Sequence, residues 1–104
     1  MKTINLYEEN GFNDLGMQKY LVHDSPYFKI LNFNFKAGQQ LPVHAHEIEG
    51  QLSILVLEGE GEFLAKDGSL PAKPGDVLVC DISVPHGIRA VTDMRTVVTI
   101  APPI

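Results

Sequence analysis

A single cysteine, Cys80, is all the chain has. No disulfide can form within it, and no thiolate cluster can hold a metal ion. Cys80 closes the apolar run Val77-Leu78-Val79-Cys80, where a thiol reads as a small buried hydrophobe rather than a reactive group. Basic residues are also scarce: eight Lys and Arg stand against thirteen Asp and Glu, for a net charge of −5. They are scattered rather than gathered into a stripe, so no nucleic-acid partner is expected. No apolar run approaches the roughly eighteen residues of a membrane span, and the opening MKTINLYEEN lacks a basic-then-apolar layout. No membrane partner is expected, and a cytoplasmic location follows by default.

Helical periodicity is missing too, beyond at most the first fifteen residues. What remains is a succession of short strand-like segments separated by turn residues. The segment YFKILNFNF (27–35) is rich in aromatic residues and ends at Ala37-Gly38. Further strands are expected at 41–46, 52–57, 62–65, 69–72, 76–80, 87–91 and 95–101. Asp67-Gly68 and Pro74-Gly75 supply turns between them. Eight or so short strands at regular spacing indicate an all-β antiparallel sandwich or barrel. At 104 residues one domain is expected over 1–104, with an N-terminal extension at 1–17 and a barrel core at 28–99.

Two of the four histidines form His44-Ala45-His46. On a strand, residues i and i+2 share a face, so both imidazoles are expected to project together toward one ion. Gly38 stands six residues before His44, and the stretch GDVLVCDISVPHG carries His86. His23, in LVHDSP, has no comparable setting.

These residues resemble the motifs of the cupin superfamily. Its first motif runs Gly, five residues, His-x-His, three or four residues, Glu, six residues, Gly. Gly38, His44 and His46 match its first half. The second motif, from a Gly-Asp pair to a Pro-His, is matched by Gly75-Asp76 and Pro85-His86. The resemblance implies a double-stranded β-helix, or jelly roll, with His44, His46 and His86 converging at the barrel mouth on one divalent transition metal. There are departures: Asp81-Ile82-Ser83 replaces a Pro-Pro-Gly, and Ala90 stands where an Asn is frequent.

The fourth ligand, normally Glu, has no clean counterpart. Counting forward from His46 reaches Gln51, whereas counting back from Gly59 reaches Leu52. A one-residue slip reverses the face of every side chain, so Gln51 points inward only if a bulge or loop near Gly50 absorbs the extra residue. Gln51 is taken as the expected fourth metal ligand. Glu47 and Glu49 read as solvated loop residues. Arg89, three residues past His86, is a candidate for binding an anionic substrate, or else a solvated residue paired with Asp93 or Asp81.

Three neutral imidazoles, with or without an amide, leave the +2 charge of an ion uncompensated and favour an anionic, oxygen-chelating small molecule. Imidazole donors suit Fe, Ni, Zn, Cu, Co or Mn and discriminate against Ca and Mg. Enzymatic relatives imply oxygenase, isomerase or decarboxylase chemistry; a non-catalytic metal or small-ligand binding module is the other expectation. A homodimer is expected, because Leu52 to Leu57 is apolar on both faces and the C-terminal strand TVVTIAPPI offers an edge to a second copy.

Overall fold

The computed structural model describes residues 1–104 as one helical turn and nine strands. The helix α1 (Leu6–Glu9) is capped by Asn5, whose side chain accepts from the backbone N–H of Tyr7 and Glu8. The strands are β1 (Gln18–Asp24), β2 (Lys29–Phe35), β3 (Gln40–His44), β4 (Gln51–Glu58), β5 (Gly61–Ala65), β6 (Gly68–Ala72), β7 (Val77–Asp81), β8 (His86–Ala90) and β9 (Met94–Ala101). They form two antiparallel sheets, β1-β2-β9-β4-β7 and β3-β8-β5-β6. This is the expected all-β jelly roll. No helix is long and apolar enough to cross a membrane.

Alternation sets which side chains fill the space between the sheets. Leu31, Phe33 and Phe35 of β2, Leu52, Ile54 and Val56 of β4, and Val98 and Ile100 of β9 are buried together with Phe63, Ile82 and Ile88. Asn32 and Asn34 point the other way, yet both are fully buried. The chain from α1 to β1 lies over them. Asn10 Nδ2 donates to Asn32 Oδ1 at 2.8 Å, Asn32 Nδ2 donates to the Thr96 carbonyl at 2.8 Å, and Asn34 Nδ2 donates to the Gly11 carbonyl at 2.9 Å. Arg95, buried between the rings of Tyr7 and Phe12, donates to the Asn10 carbonyl and to Glu58. The stretch expected as an extension is thus latched onto the outer face of the larger sheet.

Two expectations need correcting. The C-terminal strand is no edge: β9 is hydrogen-bonded to β2 on one side and β4 on the other. The free edges are β1 and β7, and β3 and β6. The strand expected at 41–46 stops at His44, and its pairing with β8 shifts register between Leu41 and His44. Pro42, lacking an N–H, stands at that irregularity on an edge strand, where a missing ladder bond is tolerated.

Candidate functional site

The register shift brings His44 directly opposite His86, so both imidazoles leave the β3–β8 pair on one face. Their ring centres are 4.5 Å apart, and those of His44 and His46 are 5.5 Å apart. His46 does not arrive there by strand periodicity. It sits on the irregular link before β4, held by its backbone N–H donating to the Ile82 carbonyl, while the Ile82 N–H donates to the Gly50 carbonyl.

Each paired histidine is oriented by its own backbone. Nδ1 of His44 lies 2.9 Å from the Pro42 carbonyl oxygen, and Nδ1 of His86 lies 2.7 Å from that of Val84. A carbonyl only accepts, so Nδ1 carries the proton in both rings and the Nε2 lone pair is left free. His86 is buried. Burial first, and then the neighbouring His44 and His46, hold its imidazolium below the ordinary histidine range, against the raising effect of the Val84 carbonyl. The ring therefore favours its neutral form.

The three histidines face a cavity of about 460 Å³ between the sheets, within the size range of small-molecule sites. Ten of its fourteen lining residues are hydrophobic, among them Leu31, Phe33, Leu52 and Ile54, and no acidic side chain lines it. Met17, just before β1, and Lys19, near its start, also line it. Neither belongs to a motif. The only sequence signal for them is the alternation of Lys19 and Leu21 against Gln18, Tyr20 and Val22, weak in a polar edge strand.

Gln51 is not in this cavity. It opens β4, pairs with Asp81 and Ala101, is exposed, and its Nε2 donates to Asp81 Oδ1 at 3.2 Å. Leu52, one residue on, occupies the inward position. No bulge absorbs the difference, because pairing runs without interruption from Gln51 to Leu55. Gly50 serves another purpose: at φ 147° it lies so close to Pro102 that a Cβ would meet its ring carbon at 2.5 Å. Arg89 is likewise outside. It is exposed on β8 and donates to Glu62 at 2.9 Å. That hydrogen bond, with Ser69 in support, keeps the Glu62 carboxyl below its usual range. Glu47 and Glu49 are exposed, and the His23 ring packs on Phe28.

The donor chemistry fits an imidazole-bound ion. With a metal–nitrogen bond of about 2.1 Å and the ring centre about 1.1 Å beyond, two imidazoles at about 90 to 110° on one ion stand about 4.5 to 5.2 Å apart. The His44–His86 separation of 4.5 Å falls at the lower end of that range, and the His44–His46 separation of 5.5 Å lies just beyond its upper end. No three donors already meet the geometry of an assembled site.

A family model described as "Cupin domain" matches residues 31–101. The chain belongs to the cupins. A curated relative, the L-ectoine synthase of Shouchella clausii, is 44% identical over 88 residues, covering 82% of this chain and 58% of that protein. This cupin therefore spans little more than half the length of that relative. An RmlC-like cupin from Desulfovibrio desulfuricans is 60% identical, with a TM-score of 0.96 over 100% of this chain and 99% of that one. The ectoine synthase of P. lautus, at 22% identity and a TM-score of 0.78 over 100% of this chain and 80% of that one, shares the fold.

Proposed function

We propose that this cupin holds one divalent transition metal through His44, His46 and His86 and presents it to a small, anionic, oxygen-chelating substrate in the adjoining cavity. One observation carries this: the His44 and His86 rings stand 4.5 Å apart, centre to centre, with both Nδ1–H groups spent on backbone carbonyls, which leaves the Nε2 atoms of two adjoining rings without a protein partner. With Leu52 in the inward place expected for a carboxylate, the protein supplies no negative ligand there. An ion would keep its full +2 charge and open positions for an acid, and it would act as a Lewis acid or redox centre. The residues around it do the rest: the apolar walls exclude water from a bound acid, and the Pro42 and Val84 carbonyls keep two rings in the ligating tautomer.

Enzymatic use of the site is supported by the 44% identity to a protein named as a synthase; oxygenase, isomerase or decarboxylase chemistry is the form we propose for it. Binding without turnover is favoured by one feature of the cavity: apart from the histidines and Lys19 it offers no acid or base. Titration of the metal-free protein with Co(II) tests the common core of both. Visible absorption should saturate at one equivalent and shift on adding oxalate, a chelating dianion. No saturable spectrum, or one insensitive to oxalate, contradicts a histidine-bound ion with open positions. We further propose that the protein is a homodimer.

A further inference from the structure

We infer that Lys19 is the anion-selecting residue of the cavity, and that the molecule it admits is a small organic acid with an apolar body whose carboxylate pairs with the Lys19 ammonium. This rests on the cavity being the ligand site, and names the class of ligand; it does not depend on the metal. Lys19 pairs in register with Phe33, and antiparallel partners share a face, so its side chain leaves β1 on the side of Phe33 and Leu31, toward the cavity. It stands on the larger sheet, while His44 and His86 stand on the smaller one, so the two polar groups meet the space from opposite walls.

Charge decides the ligand class. Lys19 is the only ammonium or guanidinium on the lining, no acidic side chain lines the cavity to neutralise it, and, like Lys2, Lys29, Lys66 and Lys73, it enters none of the ion pairs of the molecule. What sets it apart from those four is its place on the cavity lining. A carboxylate beside Lys19 exchanges water for a charge-assisted bond at the rim, while the carbon chain covers the Leu31, Phe33, Leu52 and Ile54 surface. An inward charge on an edge strand also discourages edge-to-edge pairing. That role is indifferent to the sign of the charge and gives no ligand preference, which separates the two.

The test uses hexanoate and its neutral isostere hexanamide, titrated calorimetrically into metal-free full-length protein. The expected result is hexanoate binding at least tenfold tighter than hexanamide. In Lys19→Met the ratio should fall to about one with hexanamide affinity retained, and in Lys19→Glu it should invert. Both variants should melt within a few degrees of wild type, since Lys19 is exposed. No preference in the wild type, including no binding of either probe, or a preference that survives in Lys19→Met and Lys19→Glu, overturns the inference. A wild type that prefers hexanoate yet takes up no metal would overturn the metal proposal and leave this one standing.

Discussion

His44 and His86 face each other across the β3–β8 pair with matching anchors: each donates Nδ1–H to the carbonyl of the residue two positions earlier, Pro42 at 2.9 Å and Val84 at 2.7 Å. Both carbonyls precede irregular or terminal points of their strands. The rings are thus oriented by the local backbone rather than by a carboxylate, which leaves the Nε2 atom of each without a protein partner and adds no acidic side chain to the site.

The strand register at β4 yields a paired prediction. Gln51→Ala should leave Co(II) affinity within twofold of wild type, because Gln51 faces Asp81 outside the cavity. Leu52→Glu, which puts a carboxylate on the inward face, should tighten Co(II) binding by about tenfold or more, consistent with charge assistance at a divalent ion. A Gln51→Ala variant that loses metal would restore Gln51 as a ligand.

Asn32 is the centre of the latch over the outer sheet. In Asn32→Ala the Asn10 amide, the Asn34 Oδ1 and the Thr96 carbonyl each lose a hydrogen bond in a buried setting, Asn10 keeping only its bond to the Gln18 carbonyl, at a cost of about 1 to 3 kcal/mol. Urea denaturation should show that loss. In a domain of this size it also lowers the melting temperature by about 4 to 8 °C per kcal/mol. An unchanged midpoint would mean that the latch contributes nothing net.

Cys80 is half-buried, and burial first, then the Asp81 carboxylate, push its thiol above the ordinary value of 9.0. The unfolded chain then gives up this proton before the folded one. Cys80 leaves stability untouched below pH 9.0 and lowers it as pH rises past that value. Iodoacetamide should alkylate native Cys80 more slowly than the urea-unfolded chain at pH 8. Equal rates would contradict a protected thiol.

Val77 and Val79 of the edge strand β7 are 56% and 63% exposed on the outer face, beside the half-buried Leu55. They provide the apolar surface for the proposed dimer, in place of the C-terminal strand. Light scattering at micromolar concentration should give twice the chain mass for wild type and the chain mass for Val79→Glu. A monomeric wild type contradicts the proposal.

Much of the fold is legible in the sequence because β2, β4 and β9 bury continuous apolar faces and their turns carry Gly, Pro or Asp. β1 escapes because an edge strand with Lys19 turned inward has no clean alternation. The burial of Asn32 and Asn34 escapes as well: alternation tells that they leave the core face, but only the tertiary path of 5–17 shows what covers them. At the site, His44 and His86 are legible through the resemblance to the two cupin motifs. His46 is close for a different reason than its i+2 position, since Pro42 shifts the register and the strand ends at His44. Gln51 depends on one residue of register beside Gly50, and Gly50 is required for close packing against Pro102 rather than for a bulge.

Metal content of the protein purified without a histidine tag is the most direct measurement of the central claim. Mass-spectrometric elemental analysis after reconstitution should find one divalent transition ion per chain in the wild type. His44→Ala and His86→Ala should each lower affinity by at least the roughly 10- to 100-fold that removing a ligand's orienting hydrogen-bond partner costs. A wild type that retains no stoichiometric transition metal, or variants that both retain it fully, would contradict the account.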